Sequence, residues 1–189
     1  MDKKSAILKA AQKLFSQFGL KKVTTDDIAF EGQISKATVY KYYRNKSEIF
    51  QAVIAMETDL MVQAIKDAVG REVEVENKLK AYLNTKINKI HKLINFYKVT
   101  RESRDEYWPF IAEVRGYFME QEKEIVRGIL VTGKNKGVLK PMDVNLQAHI
   151  FVISMKAIEY PWAIEGQNVT LQEIVDLVID TLLNGLRKH

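Results

Sequence analysis

Residues 24–50 read TTDDIAFEGQISKATVYKYYRNKSEIF, and their punctuation is that of short helices. Thr24 and Thr25, followed by Asp26 and Asp27, supply capping oxygens and negative charge at a helix N-terminus, which predicts a short helix running to about residue 31. Gly32-Gln33-Ile34 interrupts it. Ser35 is placed to cap a second short helix over 35–43, and Ser47 to cap a long one from 47 to about 69 that closes at Gly70. Two short helices joined by a three-residue turn have the layout of a helix-turn-helix, in which the first crosses a phosphate backbone and the second enters the major groove.

Helical geometry separates the faces of that second helix. Val39 and Tyr43 lie four apart and can pack inward with Ile28, Ala29 and Ile34, while Ala37 and Lys41 point the opposite way. Ser35, Lys36, Thr38, Tyr40 and Tyr42 border that outward stripe. Ammonium groups can donate to guanine or phosphate oxygens, a threonine can bond a base or touch a thymine methyl, and tyrosine hydroxyls can reach the backbone. Lys46 and the amides around Ser47 form a further expected phosphate clamp. The same residue types could also make a solvated face on a small bundle, so the surroundings of the motif matter.

Charge supports the first reading. Residues 1–50 hold ten Lys/Arg against five Asp/Glu, and residues 51–189 hold nineteen of each, so the net charge of +5 sits wholly in the first segment. A basic first quarter on a neutral remainder suits a chain whose first part meets a polyanion. Upstream, apolar spacing predicts a helix over 3–18 with Ile7, Leu14 and Phe18 on one stripe, Ala10 and Ala11 beside it, and Gly19 as its C-terminal cap.

The composition excludes several chemistries. With 47% hydrophobic and 28% charged residues the chain has the make-up of a globular protein, and with no cysteine it can form no disulfide, thiolate metal site or sulfur nucleophile. His91, His149 and His189 are far apart, and neither a metal-binding HExxH nor a glycine-rich phosphate loop occurs. An enzyme is therefore not expected, nor any cofactor or metal. The longest apolar run, residues 52–56, is far too short for a membrane span, and residues 1–18 alternate charged with apolar positions, so a cytoplasmic location is expected.

At this point residues 4–50 resemble the DNA-binding domain of the TetR family of transcriptional repressors. The family's pattern is met by Thr25, Ile28-Ala29, Ser35-Lys36, Thr38-Val39-Tyr40, Tyr43 and Lys46-Ser47-Glu48-Ile49-Phe50. One departure stands in the turn, where the family usually has Ala-Gly and this chain has Gly32-Gln33. Either Gln33 accepts a left-handed backbone, at a cost on the order of 1 kcal/mol, or the turn differs. The expected DNA-contact set is Thr25, Ser35, Lys36, Ala37, Thr38, Tyr40, Lys41, Tyr42 and Lys46.

The resemblance implies an all-α chain of about nine helices: a DNA-binding domain over 1–50 and a helical ligand-binding and dimerisation domain over 51–189. Apolar spacing and breakers outline the second part as helices over about 75–99, 109–134, 143–160 and 170–187, with Pro109 opening one, Asp143 capping the next, and Thr170 to Glu173 forming a capping box for the last. The last helix carries an apolar arc too broad for one buried face, and the helix of residues 146–160 is its natural partner in a two-fold, four-helix interface. Phe151, Met155, Ile158, Ile174, Val178, Leu182 and Leu186 are the expected interface residues.

An effector pocket would draw on Tyr82, Lys86, Tyr107, Trp108, Phe110, Tyr117, Phe118, His149 and Met155, although the same residue types fill helical cores. Their aromatic and aliphatic character suits a small hydrophobic or planar effector. A homodimer would then place two 35–43 helices in successive major grooves of palindromic operator DNA, roughly 34–36 Å apart. An effector that shifts the helix of residues 47–69 would change that spacing. The sequence leaves repression and activation, and a C-terminal part that only dimerises, open.

Overall fold

A computed structural model describes residues 2–90, 108–165 and 170–186. Every regular element among them is an α-helix: α1 (Lys3–Phe18), α2 (Thr25–Glu31), α3 (Lys36–Tyr42), α4 (Lys46–Gly70), α5 (Val75–Ile90), α6 (Trp108–Asn135), α7 (Val144–Glu165) and α8 (Leu171–Leu186). The expected all-α class is what forms. Among the described residues two compact units result, one of residues 2–59 with 108–115 and the other of residues 60–90 with 116–165 and 170–186, and α4 and α6 each contribute residues to both.

In the first unit α1 buries Ile7, Leu8, Ala10, Ala11, Leu14 and Phe15 and stops at Gly19, whose φ of 79° and N–H bond to the Phe15 carbonyl make a left-handed terminus. Leu20 and Val23 from the following loop join Ile28, Ala29, Val39, Tyr43, Ile49 and Phe50 in one core, with the Phe15 and Phe50 rings edge to face at 5.7 Å. Gln12 Nε2 donates to Glu57 Oε1 at 2.9 Å, fastening α1 to α4.

Phe18 departs from the expected buried stripe, being 57% exposed. The stripe is right in angle but outruns the core, because α1's last residue borders only an open groove with Leu14, Val23 and Phe30. A second departure is the start of α4. Asn45, not Ser47, is the cap: its Oδ1 accepts from Glu48 N at 2.9 Å while Glu48 Oε2 accepts from Arg44 N at 2.8 Å, so the helix opens one residue earlier.

In the second unit α5 packs on α8. Val75, Leu79, Tyr82, Leu83 and Ile87 are buried on α5, and Val175, Ile179 and Leu183 on α8. From α6 come Phe118, Val126, Ile129 and Leu130, and from α7 Ala148, Phe151, Val152 and Met155. Asp143 Oδ1 accepts from Asn145 N and Leu146 N at the start of α7. Thr170 and Glu173 close the expected box at α8, with Thr170 N donating to Glu173 Oε2 at 2.8 Å and Glu173 N to Thr170 Oγ1 at 3.3 Å. The α7 helix runs past Pro161 to Glu165 rather than ending there. A proline removes one ladder bond, and a helix can continue through that loss. Residues 91–99 of the helix expected over 75–99 lie outside the described residues.

Candidate nucleic-acid interface

Helices α2 and α3 are each fixed at their N-termini by side-chain oxygens. Thr24 and Asp27 form a reciprocal capping box, Thr24 N donating to Asp27 Oδ2 at 2.8 Å and Asp27 N to Thr24 Oγ1 at 3.2 Å. These bonds to Thr24 hold the Asp27 carboxyl below the usual carboxylate range. On α3, Ser35 caps by accepting from Thr38 N at 3.1 Å, and the two hydroxyls lie 2.8 Å apart. The connecting turn carries the irregularity anticipated at Gln33, whose φ is 52°.

The α3 helix is two-sided. Val39 is fully buried and Tyr43 nearly so, while Lys36, Ala37, Tyr40, Lys41 and Tyr42 are exposed and Thr38 is half-buried. Burial pushes the Tyr43 hydroxyl's pKa up. Two contacts set α3 against α2: Thr25 Oγ1 lies 3.0 Å from Tyr40 Oη, and Lys36 Nζ reaches the Asp26 carboxylate at 2.8 and 2.9 Å. The hydrogen bond to Asp26, and then its charge, raise the Lys36 pKa. Both partners are exposed, and an exposed ion pair of this kind is weak enough to yield to a phosphate oxygen. Thr25, Ser35, Lys36, Thr38, Tyr40, Lys41 and Tyr42 thus lie on or beside one polar surface carried by the turn and two helix starts.

Lys46 is occupied differently. Its ammonium donates to the carbonyls of Leu20 and Val23, each at 2.8 Å, and of Lys21 at 3.4 Å.

The second unit brings together part of the aromatic set named from sequence. Tyr82, Lys86, Phe118 and Met155 are buried, with Lys86 Nζ 5.8 Å from both the Tyr82 and the Phe118 ring centroids. At their centre is Glu122, a residue sequence reading missed. Glu122 is 0% and Lys86 1% exposed; they form an ion pair, Tyr82 Oη donates to Glu122 Oε1 at 2.7 Å, and Lys156 Nζ lies 3.9 Å from Oε2. The charged run MEQEKE hides Glu122. Its spacing of four from both Phe118 and Val126, which are buried, was the available signal.

The other candidates are elsewhere. Phe110 packs on the first unit's core, Tyr117 and His149 are exposed, Tyr107 lies outside the described residues, and so does the side chain of Trp108. Among the expected interface residues, Phe151 and Met155 are buried within their own unit, Val178, Leu182 and Leu186 are half-buried, and the side chains of Ile158 and Ile174 lie outside the described set. Apolar side chains that do face out on these helices are Leu146, Ile150 and Ile153 on α7 and Leu177 on α8.

Comparison with known proteins agrees with this geometry. Residues 7–53, which span α1 to the first part of α4, match the family described as bacterial regulatory proteins, tetR family. The uncharacterized HTH-type transcriptional regulator YhgD of Bacillus subtilis (strain 168) is 26% identical over 188 residues, covering 98% of this chain and 97% of its own. The crystal structure of a putative TetR-family transcriptional regulator from Mesorhizobium loti superposes with a TM-score of 0.82 at 18% identity, over 98% of this chain and 97% of that one. That of FadR from Bacillus subtilis, in complex with stearoyl-CoA, gives 0.72 at 18% identity, over 96% and 98%. The match lies on the helices that build the two-sided turn and its polar surface, and over residues 7–53 the chain is similar to the bacterial regulatory proteins of the tetR family.

Proposed function

We propose that the protein is a repressor that binds a palindromic operator as a homodimer and leaves it when a small hydrophobic effector occupies the second unit. The observation that carries the DNA part is the division of α3, with Val39 and Tyr43 buried beneath a face on which Lys36, Ala37 and Lys41 are exposed and Thr38 is half-buried. On this reading those four side chains and Ser35 meet base edges, while Thr25, Tyr40 and Tyr42 meet phosphates. The protein acts by binding and not by catalysis, in the compartment that holds the chromosome.

Support for a dimer comes from α7, where Leu146, Ile150 and Ile153 repeat at intervals of four and three on an exposed face, with Leu177 exposed on α8. An apolar stripe at that spacing suits a helix packed against a second copy. The interface proposed here therefore shifts by part of a turn from Phe151 and Met155 to these residues, and keeps Val178, Leu182 and Leu186. For the effector, support comes from the aromatic core around Tyr82, Phe118 and Phe151 and from a relative whose structure holds stearoyl-CoA. A long acyl group is the proposed class of ligand.

Recovering duplex fragments bound by the protein from its source's genomic DNA tests the reading directly. Palindromic fragments are expected, bound more weakly by Lys36→Ala and Lys41→Ala, with each lost base contact worth about 1–3 kcal/mol. Unchanged affinity in both variants would remove the assigned face.

A further inference from the structure

We propose that Asp26 is a specificity-determining residue that acts with Lys36 as one unit to read a G·C base pair; the proposal deepens the DNA-binding reading above and rests on it. A carboxylate on a surface that meets a polyanion calls for a reason, and the needs of α2 do not supply one. The first turn of α2 is already capped by the reciprocal bonds of Thr24 and Asp27, and Asp27 also provides the negative charge that the helix dipole favours there. The Asp26 side chain is 60% exposed, and both its oxygens approach Lys36 of α3, Oδ1 at 2.8 Å and Oδ2 at 2.9 Å from Nζ. Thr25, the residue before it, meets Tyr40 one turn further along α3 at 3.0 Å. The bridge therefore spans from the start of α2 to the exposed face of α3.

This bridge presents a donor and an acceptor side by side, and the edge of a G·C pair presents their complement. In the major groove guanine offers N7 and O6 as acceptors, and cytosine offers its N4 amino group as a donor. O6 and N4 are partners in the base pair's own hydrogen bond, so they stand roughly 2.9 Å apart, matching the separation of Lys36 Nζ from the Asp26 oxygens. Lys36 then donates to O6 and N7 while Asp26 accepts from N4, and the bridge itself stays closed. A T·A pair offers the same order of acceptor and donor, but with the thymine methyl where guanine has N7. C·G and A·T reverse that order and set the carboxylate against an acceptor. Phosphates offer acceptors only, so there Asp26 repels and Lys36 has to leave it to bind. With no net charge, the unit contributes to the choice of base and little to the binding of DNA at large.

The test measures binding by the full chain, as wild type, Asp26→Ala, Asp26→Asn and Lys36→Ala, to three kinds of duplex: the fragment recovered from genomic DNA, its variants with each base pair replaced in turn, and a 30-base-pair duplex of random sequence. For the wild type, one G·C position in each half-site is expected at which C·G or A·T lowers affinity roughly tenfold or more, and T·A lowers it less. In Asp26→Ala that preference shrinks by at least about fivefold. Its affinity for the random duplex rises instead, and its slope of log affinity on log salt steepens by about 0.9, because Lys36 is released to neutralise a phosphate. Lys36→Ala loses the same preference while its affinity for the random duplex falls. Asp26→Asn, close in shape and uncharged, steepens the slope as Asp26→Ala does, and carries the slope and random-duplex comparisons should Asp26→Ala not fold. A wild type with no such G·C position, a base-pair profile unchanged in Asp26→Ala, or a random-duplex affinity and slope that do not rise would each overturn the paired reading and leave the DNA-binding reading in place. A wild type that binds neither the recovered fragment nor the random duplex removes that reading, and the proposal with it.

Discussion

Gln33 holds a φ of 52° in the turn between α2 and α3, a region that side chains with a Cβ enter at a cost. Gly32 before it has an ordinary helical φ of −76°, and is small for another reason: a Cβ there would lie 3.1 Å from the Ile28 carbonyl and 3.5 Å from Ala10 Cβ. The two positions thus separate what the turn needs, room at 32 and left-handed freedom at 33. Replacing Gln33 with glycine is expected to raise stability by about 1 kcal/mol, read as a higher urea midpoint at unchanged slope. A lower midpoint would mean the glutamine side chain contributes more than its backbone costs. The glycine-glutamine order made this strain legible in the sequence. Glu122 was not legible, because a lone carboxylate in a charged run reads as solvated unless its neighbours four residues away are known to be buried.

The elements owe their ends to side-chain oxygens, and most of these could be read in advance. Thr24, Ser35, Asp143 and Thr170 cap where their types and positions said they would. Asn45 displaced Ser47 because a capping oxygen is chosen by where the chain leaves its turn, and Arg44-Asn45 already supplied one with Glu48 reaching back. Phe18 marks the other limit, since periodicity gives a residue's direction but not whether anything lies there.

Two caps also titrate. Asp27 and Glu173 are held below their ordinary values by hydrogen bonds from Thr24 and Thr170. A depressed carboxyl contributes stability above its unfolded pKa and loses it as the pH falls through its folded one. The first turns of α2 and α8 are accordingly expected to loosen on acidification below about pH 4, seen as faster amide exchange at Asp27 and Glu173. Thr24→Ala should remove this response at α2 and cost roughly 1 kcal/mol. Acid-insensitive exchange at both caps would contradict the assignment.

At the scale of the whole molecule, a basic first unit carries the proposed reading surface, and the second carries a buried charge cluster and an exposed apolar stripe. Glu122→Leu removes the carboxylate on which Lys86, Tyr82 and Lys156 converge, and is expected to cost about 3–5 kcal/mol by urea unfolding, because breaking a buried pair leaves charge behind. A loss under 1 kcal/mol would show that Glu122 is not the hub of the cluster. Ile150→Asp places a charge in the stripe of Leu146, Ile150 and Ile153 and should yield a monomer by sedimentation with its helix content intact. A dimer that survives would move the interface elsewhere. Charge asymmetry and the turn pattern made the first unit legible, whereas α7's exposed stripe depended on which side of an apolar helix the core would take.

The proposed reading surface and the proposed dimer meet in one observable, the pattern of protection along DNA. Hydroxyl-radical footprinting of the wild-type protein on a recovered genomic fragment should show two protected patches related by a two-fold axis, their centres roughly one helical turn, 10–10.5 base pairs, or a multiple of it apart. Both should fade together in Lys36→Ala and Lys41→Ala. A single unpaired patch, or two patches that persist unchanged in those variants, would contradict a dimer reading DNA through α3.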